Sequence, residues 1–241
     1  MRSWISGLLA AVAISASSAV ASASSLQVSP VNIEVPAPGA ASTVTLNNDG
    51  GDTINAQIRI FKWIQKNGKD ELVPTRDVVA SPPAVKLVAG KKSVIRIVRV
   101  IKSPAVTEES YRLIVDEVPK PPKAQQAGVG FTVRYSIPVF FSKSGEDSEI
   151  SWKASMIKGQ LVLTASNSGG RRVRLASLRV VNAGKTVNVG QGLAGYVLGQ
   201  SSREWAVKSG VKSIASGGTI TILAQGDNGP IEATAKVQAP N

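Results

Sequence analysis

The chain has 241 residues, with 28 Lys and Arg against 16 Asp and Glu, no His and no Cys, for a formal net charge of +12. Without His or Cys there is no Ser-His-Asp or Cys-His relay, no metal held by either residue, no iron–sulfur cluster and no disulfide. Any catalysis would rest on carboxylates, Lys, Ser or Tyr, and the basic balance predicts attraction to anionic surfaces.

Met1-Arg2 is a short positive start, and Leu8-Leu9-Ala10-Ala11-Val12-Ala13-Ile14 is an apolar run. Ala21-Ser22-Ala23 follows with small side chains at the positions a signal peptidase reads, so residues 1–23 are expected to be a cleaved secretory signal. No later stretch reaches the roughly 18 apolar residues of a membrane-spanning helix. An exported chain without Cys must take its stability from core packing alone.

Beyond residue 25, β-branched and polar residues alternate in short runs separated by turn residues. The clearest predicted strands are Val44-Thr45-Leu46, Asn55 to Trp63, Ser93 to Val100, Tyr111 to Val118 and Val129 to Phe141. Later ones are Leu161 to Ser166, Arg172 to Asn182, Thr186 to Val189, Thr219 to Ala224 and Ala233 to Val237. No segment shows an apolar stripe of helical period, and the 22 Gly and 13 Pro fall mainly between the runs. Many short strands argue an all-β sandwich. The polar stretch Ser142-Lys143-Ser144-Gly145-Glu146-Asp147-Ser148 divides the chain, giving a first domain over 24–143 and a second over 148–241.

The segment Val129 to Phe141 is the least ordinary. Val129, Phe131, Val133, Tyr135, Ile137, Val139 and Phe141 share one face of a strand, since side chains alternate across it. Thirteen residues is long for a strand, and Pro138 cannot donate to a ladder, which favours a sheet edge. A long alternating edge is an aggregation hazard unless something covers it. Either it packs in its own sandwich or it is lent to a partner; its length, Pro138 and the preceding Ala124-Gln125-Gln126-Ala127-Gly128 favour the loan.

The sequence resembles the PapD-like periplasmic pilus chaperones over nearly all of the mature chain. Ser25 to Val31 is similar to the family's first strand. Ser81-Pro82-Pro83 and Leu87 to Arg96 are similar to its Pro-Pro turn and the basic strand after it. Tyr111 to Pro119 is similar to the strand that ends in an acidic pair and Pro, and Ile137-Pro138-Val139-Phe140-Phe141 to the end of the donor strand. Gly195 to Trp205 resembles a hairpin of the second domain. The resemblance implies two immunoglobulin-like sandwiches arranged as a boomerang, acting without cofactor, metal or catalysis. It implies that Val129, Phe131, Val133 and Tyr135 fill the groove of a pilin that lacks its last strand. The partners implied are pilus (fimbrial) subunits and an outer-membrane usher in the periplasm, with a self-capping homodimer as an option for the free protein. Well-studied members hold the subunit's terminal carboxylate with a first-strand Arg and a donor-strand Lys. Here the first strand has no Arg and Pro138 stands at the Lys position, so the pattern is closer to the archaic or alternative branch. Arg suits a carboxylate, and Arg96, Arg99, Arg112 and Arg134 are the candidates, with Arg96 and Arg134 preferred.

Other signals are weaker. Gly190-Gln191-Gly192-Leu193-Ala194-Gly195 matches G-x-G-x-x-G but lacks a following helix and a later acidic residue, so a β-turn is expected instead of a nucleotide site. Ser155-Met156-Ile157-Lys158 matches S-x-x-K without its companion motifs. Glu108-Glu109, Asp116-Glu117 and Glu146-Asp147 read as solvated loops and strand ends, because adjacent strand residues face opposite sides. Arg171-Arg172-Val173-Arg174 with Arg179 is a basic patch, but only Trp152 lies near it, so no stacking platform for nucleic acid is expected. An exported structural or adhesive sandwich protein and a carbohydrate-binding module remain as alternatives.

Overall fold

The computed structural model describes residues 26–119, 131–207 and 217–239. The expected signal segment and Val129 lie outside them. Every regular element among the described residues is a β-strand.

The first ten strands are β1 (Leu26–Ser29), β2 (Ile33–Pro36), β3 (Ala41–Asn48), β4 (Ile54–Lys66), β5 (Lys69–Pro74), β6 (Val78–Ser81), β7 (Ala84–Leu87), β8 (Lys92–Arg99), β9 (Glu109–Val118) and β10 (Arg134–Ser142). They form two sheets, one in the order β1-β3-β8-β6 and one in the order β2-β10-β9-β4-β5, with β7 also pairing β4. The period-2 pattern decides which side faces the core. Val44, Leu46, Ile95 and Ile97 point inward from the first sheet, and Ile58, Leu113, Val115, Ile137 and Val139 meet them from the second. Each such side chain contributes about 1.5–3 kcal/mol when fully buried.

Two features of this domain shape the site. The chain changes sheets between Ser29 and Ile33, so β1 pairs β3 while β2 runs parallel to β10, and only along Val139–Ser142. The hairpin β4–β5 is long, with Lys66 opposite Lys69 across the turn Asn67-Gly68. Both turn residues have positive φ, 50° and 72°. That is the requirement of the type I′ turn that suits strand twist, and Asn-Gly meets it at little cost.

The second domain contains β11 (Ile150–Ile157), β12 (Gln160–Asn167), β13 (Val173–Asn182), β14 (Lys185–Val197), β15 (Ser201–Ala206), β16 (Thr219–Gly226) and β17 (Gly229–Gln238). The order β14-β13-β16-β17-β11-β12-β15 folds around one core that includes Leu161, Leu163, Leu175, Val180, Ile220 and Ile222. Two expectations fail here. Gly195 to Trp205 is no paired hairpin, because β14 pairs β13 and β15 pairs β12, so Leu198-Gly199-Gln200 carries the chain from one end of the sheet to the other. Gly190 to Gly195 is no turn but the irregular part of β14, where register shifts against β13 absorb extra residues as β-bulges do.

Candidate functional site

β10 is shorter than the predicted strand. It starts at Arg134, and Phe131-Thr132-Val133 precede it outside any strand, although the Glu117 amide donates to Val133 O at 2.9 Å. The face that reads as continuous in sequence divides in two. Ile137, Val139 and Phe141 are sealed in the first domain's core, where a partner cannot reach them. Tyr135 is half-buried against the same core, and its hydroxyl donates to Leu26 O at 2.6 Å. Val133 is half-buried, and Phe131 is 76% exposed.

The edge divides at the same place. From Arg134 to Phe141 β10 pairs β9 on one side, but β2 covers the other side only from Val139. Arg134 to Pro138 thus have no strand on that side among the described residues. Pro138, with no N–H to offer, is the last residue before the covered stretch. Unpaired backbone groups beside exposed apolar side chains are a template for an added strand.

The four candidate arginines have four different surroundings. Arg96 is exposed on β8, in the other sheet from β10, opposite Thr43 and Ser81. Arg99 is bound in a two-pronged pair, Nε to Glu109 Oε2 and Nη2 to Glu109 Oε1, both at 2.8 Å. Its Nη1 also donates to Ile101 O at 2.8 Å. The Arg99 bonds hold the Glu109 carboxyl below the usual range, outweighing the opposite push of burial. Arg134 is exposed and pairs Asp116, which also accepts from Arg59 Nη2 at 2.5 Å. Partial burial pushes the Asp116 carboxyl up, but the two guanidiniums outweigh it and the net shift is down. Arg112 stands apart. Its guanidinium carbon lies 3.7 Å from the centroid of the Trp63 ring and 5.8 Å from that of Tyr196, and Nη1 donates to Ser136 O at 3.2 Å. Among the described residues no carboxylate lies within ion-pair distance of it. Burial draws its pKa down from the ordinary value, against the pull of Asp70, yet a guanidinium keeps its charge near neutral pH. It is a withdrawn cation beside the open part of β10.

The wall behind Arg112 comes from both domains. Trp63 (β4) and Phe140 (β10) pack with Tyr196 and Leu198 of the second domain in a small buried cluster, the Trp63 and Tyr196 rings edge-on at 5.4 Å. Over the Phe140 ring, Arg172 reaches from the second domain to Glu108 and Glu34. Its guanidinium carbon is 3.5 Å from the Phe140 centroid. The Arg172 side chain is 3% exposed and that of Glu108 1%. Burial raises the Glu108 carboxyl above its usual value, against the pull of Arg172. Glu108 and Arg172 are therefore not the solvated groups the sequence suggests; they form an ionic node at the domain junction. No sequence pattern reports this, because the partners lie 64 positions apart. Among the described residues no three His, Cys, Asp or Glu side chains gather as metal ligands.

With this geometry in place, the comparisons with known proteins are consistent. Residues 25–145, half of the chain, match the model of the pili and flagellar-assembly chaperone family, PapD N-terminal domain. The chain belongs to that family, whose members are chaperones of pilus assembly. It is similar to a chain of the CsuC–CsuE chaperone–tip adhesion subunit pre-assembly complex from the archaic chaperone–usher Csu pili of Acinetobacter baumannii. The two are 28% identical with a TM-score of 0.67, covering 90% of this chain and 99% of that one. The Salmonella enterica SafA pilin–SafB chaperone complex matches at 18% identity and a TM-score of 0.60, over 88% of this chain and 96% of the other. The Pseudomonas aeruginosa CupB2 chaperone matches at 19% and 0.55, over 86% and 98%; at such identities the likeness concerns the fold. No curated protein matches the chain.

Proposed function

We propose that this chaperone protects a pilus subunit in the periplasm by lending it the open end of β10, and hands it to an outer-membrane usher with no bond made or broken. A sandwich that lacks its last strand exposes a groove and a row of unpaired backbone groups, which it cannot satisfy alone. The observation that carries the reading is the coincidence, at one end of β10, of an uncovered edge over Arg134–Pro138 and the exposed Phe131. Backbone pairing along that edge makes affinity largely independent of the subunit's sequence, while alternate side chains fill the groove. Val129, Phe131 and Val133 are the plugs, with Tyr135 at the limit of what a partner reaches. A self-capping homodimer would use the same edge when no subunit is present.

The subunit's terminal carboxylate is assigned to Arg112. Arg99 and Arg134 already have carboxylates, and Arg96 lies in the other sheet, whereas Arg112 is charged, half-buried and beside Ser136. The anchor thus moves away from the two arginines the sequence favours. The test is co-expression with a short β-rich exported subunit. The chain is expected to yield a soluble one-to-one complex, and Phe131→Asp to yield none while the chaperone stays folded. Normal recovery with Phe131→Asp would overturn the assignment of the plugs.

A further inference from the structure

The tip of the β4–β5 hairpin projects beyond the first domain's sheet and lands on the second domain. The Gln65 side-chain amide acts there as a strand residue would: Nε2 donates to Tyr196 O at 2.7 Å, and Oε1 accepts from Leu198 N at 3.0 Å. At the turn, Gly68 O accepts from the Glu204 amide at 2.9 Å, on the side of β15 that β12 leaves open. A Cβ at position 68 would lie 2.5 Å from Glu204 Cγ, and φ there is +72°, so the close approach and the turn both require glycine. Asp70, on the returning strand, pairs Arg203 of β15 and accepts from Gln65 at 2.9 Å. The two Gln65 bonds bracket the Tyr196–Leu198 backbone, and the Tyr196 ring meets Trp63 and Arg112.

We propose that this hairpin tip is the positioning element of the Arg112 site. Gln65, Gly68 and the Asp70–Arg203 pair fix how the second domain sits on the first, and so hold Tyr196 beside Arg112. By engaging Asp70, Arg203 and Gln65 also keep that carboxylate from serving as an internal substitute for the subunit's. The consequence for the carboxylate rests on the anchor reading above; the placement of the domains does not.

The chain has no Cys, so spin labels can be set on Val94→Cys and Leu193→Cys alone, both exposed and one in each domain. Pulsed electron-spin distances in the full chain should give one narrow distribution. Gln65→Ala, Gly68→Val and Arg203→Asp should each broaden or shift it while far-ultraviolet circular dichroism is retained, and Asp70→Arg combined with Arg203→Asp should restore it. Unchanged distributions in all three single variants would overturn the proposal. The link to the anchor is read with an alternating Val-Thr peptide, supplied as free acid and as C-terminal amide. The unaltered chain should prefer the acid, and the three variants should lose that preference. A preference kept by all three would overturn the link, whereas an unaltered chain that binds both forms equally would overturn the anchor reading and leave the distances to decide the brace.

Discussion

Arg99 and Arg112 are both withdrawn from solvent, but Arg99 meets a carboxylate in two parallel bonds while Arg112 meets the faces of two aromatic rings. A guanidinium over an aromatic face is stabilised without being neutralised, so Arg112 can still accept a carboxylate as a charge-assisted partner. Such a bond contributes about 1.5–3 kcal/mol, a factor of about ten to a hundred in affinity. Arg112→Ala should therefore weaken binding of a subunit with a free C-terminus at least about tenfold, measured by titration, and leave binding of a C-terminally amidated subunit unchanged. Equal affinities for the acid in both proteins would remove Arg112 from the site. None of this was legible in the sequence. All four arginines sit in strand-like patterns, and what separates them is a partner on another strand that only the fold brings near: Glu109 for Arg99, Asp116 for Arg134, Trp63 and Tyr196 for Arg112.

At the scale of elements the sequence was more informative, because strand patterning is local. The runs now seen as β3, β4, β8, β9, β12, β13 and β16 are evident from alternation. β5, whose six residues are all exposed, carries no such signal; only Asn67-Gly68 before it marks the hairpin. For β10 the alternation was right but its meaning was not uniform. The same face that ends in the core at Ile137 begins in solvent at Phe131, because the opposite sheet covers only part of it. Truncation should separate the two halves. Ile137→Ala, at 2% exposure, should cost about 2–5 kcal/mol of stability, whereas Phe131→Ala should leave the denaturation midpoint nearly unchanged and reduce subunit recovery. A large destabilisation by Phe131→Ala would mean that this side chain belongs to the chaperone's own core in solution.

For the whole molecule, Arg172 and the hairpin tip hold the second domain at two places, Arg172 against Phe140 and the tip against Tyr196 and Leu198 of the same buried cluster. The ionic hold is costly to break from one side, since removing Arg172 leaves Glu108 buried without its partner. Arg172→Met should destabilise the chain by about 3–5 kcal/mol, and adding Glu108→Leu should recover much of that; equilibrium unfolding in denaturant checks both. A double variant no more stable than the single one would show that the node contributes more than a neutral apolar contact could. The holds leave the open end of β10 beside Arg112, and that arrangement is what the functional account depends on. Amide hydrogen exchange across Phe131–Pro138, with and without a co-purified subunit, tests it most directly. The account predicts that Arg134 and Ser136, whose amides face away from β9, exchange fast in the free protein and are strongly protected in the complex, with Val139–Ser142 protected in both; equal protection of Arg134 and Ser136 in the two states would contradict it.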